Sequence, residues 1–296
     1  MQMCNAKIIV FLMCLMASPA WGQFHPDAQR FIIAVQGGGD VVDGKTAVAI
    51  NHFVMDLHGS VVDGGTTYTA DNWTPAVCIY PMVLSTATAH AFNLKQFSSA
   101  TGSYGLTFVG SPTHTANGVQ TNGTSSYINT NATGSNIGTT SSTGAAWYVK
   151  ATGTKTTSTD DWGALVSSNY TVSSIEGAAR SDYRWFIGAG ENNFCGTAAA
   201  TSAPYLLQGD NDGTTTRMWK GGVSDATFSN NLSGTSMGTT KIYIGCQNIP
   251  SLAGGSTPSN YANITVTTFI LRGHITTSAM TDEYNAIVSF NNLLSR

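Results

Sequence analysis

"ITVTTFILRGHITTSAMTDEYNAI", residues 264–287, changes its periodicity half-way. From Ile264 to Arg272 it is a run rich in β-branched residues with one aromatic, the chemistry that fits a pleated, packed sheet. After Gly273 the spacing turns helical: Thr281 reads as an N-cap, Asp282 and Glu283 suit a first turn, and Tyr284, Ile287 and Val288 line one apolar stripe. A strand running into a single terminal helix predicts the end of an all-β domain whose other strands lie upstream.

From His90 onward, short runs of period two recur between clusters of Gly, Asn and Ser. They are "AFNLK", "GLTFVG", "SSYINT", "AAWYVKA", "WGALVSS", "YRWFIGAG", "TRMWKG", "KIYIGC" and the final "ITVTTFILRG". Within "GVQTNGTSSYINT", residues 118–130, Asn122-Gly123 reads as a turn passing the chain into the strand begun by Tyr127 and Ile128. That loop holds hardly a group for acid, base or nucleophilic chemistry. The pattern predicts an all-β fold: a two-sheet antiparallel jelly-roll sandwich with a short N-terminal helical segment and a C-terminal helix.

The N-terminal segment has its own period. Ala28, Phe31, Ile32 and Val35 fall on one helical face before Gly37–Gly39, and Thr46, Ile50, Phe53, Val54 and Leu57 on a second that Gly59 ends. Helices this short need something to dock on. In "WTPAVCIYPMV", residues 73–83, Pro75 and Pro81 forbid a long central strand, which predicts an extended connector. The expected organisation is a secretory signal peptide over 1–22, a helical prefix and connector over 23–88, and the jelly roll over 89–296. Lys7, the apolar run Ile8–Met16 and the small residues Ser18 and Ala20 carry the signal-peptide reading, and that run is too short for a membrane span.

Composition excludes several partners. Only 10% of the 296 residues are charged, 13 basic against 16 acidic, so no basic cluster exists to displace counterions from nucleic acid. Once the signal segment is removed, no stable membrane insertion is expected, and the protein is placed outside the cell. Cys78, Cys195 and Cys246 then remain, an odd number that allows one internal bridge at most, Cys195–Cys246 being an open option. The six histidines are scattered, with no metal-ligand spacing between any pair.

Read together, several runs resemble the concanavalin A-like lectin/glucanase, laminin-G-like jelly rolls. Gly118, Asn122, Gly123, Tyr127 and Ile128 fit an early strand pair of that family; Arg217, Met218, Trp219 and Gly221 fit a later hairpin. Tyr243, Ile244 and Gly245 fit a strand before the last one, and Thr281, Asp282 and Glu283 the terminal helix. The prefix "HPDAQRFIIAV", "AINHFVMDLHG", "AVCIYPMVLSTATAHAFNLKQF" and "LTFVGSPTHTANGVQTNG" is similar to jelly-roll proteins of tailed bacteriophages and prophages. The resemblance implies a virion-associated or secreted protein whose partner is a glycan or other cell-surface polymer, or else other virion proteins or copies of itself.

Catalysis finds little support in the residue spacing. Glucanases on this fold present paired carboxylates on one strand, whereas Glu176, Glu191 and Glu283 stand isolated. Ser236 in "GTSMG" matches a nucleophile elbow without the strand before it or the helix after it. No catalytic residue is therefore assigned. Asp160, Asp161 and Trp162, a loop aromatic beside two acceptors, are the candidate ligand-binding group, with Tyr170 and Arg184 as companions. "GDNDG", residues 209–213, reads as a hairpin turn, with Asp210 and Asp212 as candidate Ca²⁺ ligands and no other cofactor implied.

Overall fold

The computed structural model describes residues 24–97, 104–139, 142–153, 161–164, 174–179, 183–188, 194–195, 203–229, 238–250 and 256–296; for 174–195 the description covers backbone alone. The expected signal peptide lies outside the described residues. Two helices, α1 (Pro26–Gly37) and α2 (Gly44–His58), precede a small hairpin of β1 (Val61–Asp63) and β2 (Thr66–Tyr68). Then come β3 (Ala76–Tyr80), α3 (Ala87–His90), β4 (Thr107–Val109), β5 (Thr113–Thr115), β6 (Gly118–Gln120), β7 (Tyr127–Thr133), α4 (Gly134–Ile137), β8 (Thr143–Thr152) and β9 (Trp162–Ala164). The chain continues through β10 (Ser174–Ala179), β11 (Tyr183–Gly188), β12 (Phe194–Cys195), β13 (Tyr205–Asn211), β14 (Thr215–Lys220) and β15 (Val223–Ser229). It closes with β16 (Lys241–Ile244), β17 (Gln247–Pro250), β18 (Ser256–Ser259), β19 (Ile264–Arg272) and α5 (Thr277–Leu293).

The strands form the expected sandwich, antiparallel among the described pairs except where β17 runs parallel to β9. One sheet runs β12-β11-β10-β9-β16-β7-β4, with β17 and β18 joined beside β9; the other runs β15-β14-β13-β8-β19-β6-β5, with β3 also on β19. Tyr80, Ile128, Trp147, Trp162, Leu207, Ile244 and Phe269 fill the space between the sheets. A second core lies on the far side of the second sheet, where Ile79, Ala146, Leu206 and Ile270 meet Phe31, Ile32, Ile50, Phe53 and Val54 of the N-terminal helices and Ile287 and Phe290 of α5. The molecule is thus three layers: sheet, sheet, helices. The amphipathic prefix has found its docking surface, and Phe53 stacks on Phe290 at 4.5 Å between ring centroids.

Three local expectations change. The bracketing prolines do not make residues 73–83 a bare connector: Ala76–Tyr80 between them pair with β19, Tyr80 opposite Phe269. Proline at each boundary removes no ladder hydrogen bond from the five residues inside. "AFNLK" is not a strand, because the Asn93 Oδ1 accepts from the backbone N–H groups of Ile79 at 3.0 Å and Lys95 at 3.1 Å and bends the chain there. Finally, α5 begins a turn and more before Thr281: Thr276 is its N-cap, accepting from Ala279 N–H at 3.3 Å. Asp282 and Glu283 consequently sit inside the helix and are buried.

No helix among the described residues is long and apolar enough to cross a membrane. Cys78 is a buried thiol whose pKa burial pushes up to about 12. The Cys195–Cys246 option involves a side chain outside the described residues.

Candidate functional site

The two sheets are covered unequally. Strands β13 and β19, in the middle layer, are buried at every position. Strand β7 of the other sheet alternates half-buried and buried from Tyr127 to Thr133, the signature of a sheet with one face in the core and one toward water. Ile128, Thr130 and Ala132 point inward. Tyr127, Asn129 and Asn131 therefore project from the outer face.

Register places further groups beside them. Tyr243 of β16 lies opposite Asn129, and Thr107 of β4 flanks Asn129 from the other side. The Tyr127 and Tyr243 rings stack at 4.5 Å with 29° between planes, and Tyr261 leans on Tyr127 at 6.4 Å. Gly163 of β9 pairs with Tyr243 and adds no side chain to the strip beside it. Asn131 donates to the Gly105 carbonyl at 2.7 Å and to Thr107 Oγ1 at 3.1 Å, while Lys241 Nζ donates to its Oδ1 at 3.1 Å. Burial, then the neighbouring Tyr243, pushes the Tyr127 hydroxyl up to about 12. Burial also raises the Tyr261 hydroxyl. The result is an aromatic strip edged by amides, hydroxyls and one ammonium group, held by hydrogen bonds within the sheet.

The candidates chosen from the sequence fall elsewhere. Asp161 and Trp162 are buried, not on a loop surface: Trp162 packs edge-on against Trp147 at 5.6 Å and Phe269 at 5.2 Å in the inter-sheet core. The Asp161 carboxylate accepts from Trp147 Nε1 at 3.1 Å and from the Tyr205 hydroxyl at 2.7 Å, a structural tie inside the sandwich. In place of an exposed stacking surface, these two residues supply core packing and hydrogen bonding. Asp160, Tyr170, Glu191 and Ser236 lie outside the described residues, and for Arg184 and Glu176 only the strand backbone is described.

Asp210 and Glu283, isolated in sequence, do come together, through Arg272. Its guanidinium donates to Glu283 at 2.8 and 3.0 Å and to Asp210 at 3.0 Å, and all three side chains are fully buried. His274 Nδ1 at 2.7 Å and Ile275 N–H at 3.0 Å complete the shell of Asp210. This carboxylate pair has no exposed face on which a glycosidic bond could lie. The calcium reading is corrected by the same contacts: Asp210 is saturated by Arg272, Arg217, His274 and a backbone N–H, so another cation would meet positive charge. Asp212 instead shapes the turn of "GDNDG", accepting from Thr214 N–H at 2.9 Å, from Thr215 N–H at 2.8 Å and from Arg217 at 2.5 Å.

Metal-type donors converge at one other place among the described residues, where His25, Asp27 and His58 meet across α1 and α2. Sequence spacing concealed this group, because His58 stands 31 residues from Asp27 and the packing of two helices joins them.

No protein-family profile and no curated protein matches the chain. Solved structures do. A Trypanosoma rangeli sialidase in complex with 2,3-difluorosialic acid is similar over 80% of this chain and 38% of its own length, with 13% identity and a TM-score of 0.50. Domain 4 of an extracellular arabinanase from Geobacillus stearothermophilus, in complex with arabinotriose, is similar over 70% of this chain and 97% of its own, at 15% identity and TM-score 0.47. The CBM40 of a Ruminococcus gnavus sialidase is similar over 47% of this chain and 79% of its own, at 9% identity and TM-score 0.35. The fold is a β-sandwich.

Proposed function

We propose that this protein is a non-catalytic binding module, displayed on a virion or secreted, that recognises a glycan or other surface polymer through the outer face of the β4-β7-β16-β9 sheet. The observation that carries the reading is the unequal covering: helices bury the outer face of one sheet, while the outer face of the other presents the half-buried Tyr127 and Tyr261, with the buried Tyr243 ring stacked beneath Tyr127 as support. A pyranose ring offers an apolar face to tyrosine and hydroxyls to amides and ammonium groups, and Asn129, Asn131 and Lys241 stand beside the rings.

The ordered motifs resembling tailed-phage jelly rolls support display on a virion, and the β-sandwich shared with a sialidase in complex with 2,3-difluorosialic acid supports a saccharide ligand by analogy. Sialylated glycans and neutral polysaccharides are the first ligands to try. A glycan array probed with the purified chain tests the proposal: binding that is lost in the Tyr261→Ala variant supports it, and an array blank across both classes overturns it.

A further inference from the structure

We propose that His25, Asp27 and His58 bind a divalent transition-metal ion of the Zn²⁺ class, which clamps the start of α1 to the end of α2. Asp27 Oδ2 lies 3.2 Å from His58 Nε2 and 3.7 Å from His25 Nδ1, and the donor atoms of all three residues fall within 4.8 Å of one another. Ligands held at Zn–N and Zn–O distances of about 2.1 Å in a tetrahedron are separated by roughly 3.4 Å. The two separations from Asp27 straddle that value, and the two imidazole nitrogens, within 4.8 Å of each other, reach it by closing toward a shared ion.

The donors are positioned by contacts that do not need an ion. His58 stacks on Trp73 at 4.6 Å and faces His25 at 4.3 Å, which fixes the plane of its ring. The His25 backbone is anchored by its N–H on Asn51 Oδ1 at 2.6 Å, and His25 Nδ1 receives only a long 3.3 Å bond from Asp27 N–H. Its lone pair therefore already points toward the side where Asp27 lies. Asp27 divides its carboxylate: Oδ1 faces Arg30 at 3.6 Å, while Oδ2 faces both imidazoles.

Two imidazoles and one carboxylate select Zn²⁺, Co²⁺ or Ni²⁺ over Ca²⁺ and Mg²⁺, which require more oxygen ligands. All three side chains are half-buried, which gives an ion a path from solvent and leaves room for water to complete the shell. The competing account is that the Asp27–His58 contact is a hydrogen bond that ties the two helices and nothing more.

The two are separated by titrating the tag-free, chelator-treated chain with ZnCl₂ by calorimetry and following its melting. The clamp predicts one strong site, a rise in Tm on saturation, and a loss of at least tenfold in affinity in Asp27→Asn and in His58→Gln, with His52→Gln unaffected. Co²⁺ substitution of the unmutated chain is the measurement that does not depend on the variants folding: tetrahedral d–d absorption is expected. Absence of a Tm rise, octahedral Co²⁺ absorption alone, or Zn²⁺ binding unchanged in folded Asp27→Asn would overturn the proposal.

Discussion

Arg272 carries its charge to a depth where water cannot reach it, and it is tolerable there because Glu283 and Asp210 take its donors. Gln208 holds Glu283 from the other side at 2.8 Å. Truncating one partner leaves the others buried and uncompensated, so Glu283→Ala is expected to cost about 3–5 kcal/mol in urea unfolding. His274 makes part of this network pH-dependent. Its hydrogen bond to Asp210 raises its pKa above 6.5, so its stabilisation is complete below 6.5 and lost as pH rises through the higher folded value. His274→Ala should abolish that slope in melts taken from pH 6 to 9.

Asp56 shows the opposite chemistry with the same sign. Burial, and next the neighbouring Asp63, raise its carboxyl from 3.8 to about 7. The folded state then holds a proton that the unfolded chain has released, so stability falls as pH rises from about 3.8 to about 7 and levels off above. Asp56→Asn should flatten this window and be more stable than the parent at pH 8 by about 1–3 kcal/mol, measured by denaturant unfolding. None of these roles was legible in the residues alone. Asp210 and Glu283 lie 73 positions apart and meet only through Arg272, and Asp161-Trp162 looked like a surface pair because a three-residue strand shows no alternation from which to read its face.

At the scale of elements, the apolar stripes of α1 and α2 were readable because every residue on them is buried in the structure. The start of α5 was not, since Thr276, Thr277, Ser278 and Thr281 are all chemically able to cap and only the burial of Ala279 and Met280 decides among them. Thr276→Ala should lower stability by about 1 kcal/mol and Thr281→Ala by much less, which paired thermal melts would show. Turns carry tighter constraints. Gly118, at φ 113°, sits against the Val266 carbonyl, where a Cβ has no space, and its strand β6 pairs with β19 at that point. Gly118→Ala is therefore expected to destabilise by at least ~2 kcal/mol in the same assay.

At the scale of the molecule, period-two runs with turn residues between them were enough to read a sandwich, because a sheet with one wet face writes its alternation into the chain. The third layer was hidden. An amphipathic helix declares that one side must be buried but not against which surface, and nothing in the run of β19 tells that both of its faces are buried. The candidate site was hidden for a related reason: Tyr127, Tyr243 and Tyr261 converge only when β7 pairs with β16. The motif at 118–130 was informative twice over, as the turn that starts β7 and as the source of the first ring on the outer face. The direct test is calorimetric titration of the best array ligand into the chain and into Tyr127→Ala, with Trp162→Phe as a core control. The account expects a loss of about tenfold or more for Tyr127→Ala at unchanged fold and near-parental affinity for Trp162→Phe. Full affinity in a folded Tyr127→Ala, or a loss confined to Trp162→Phe, would contradict it.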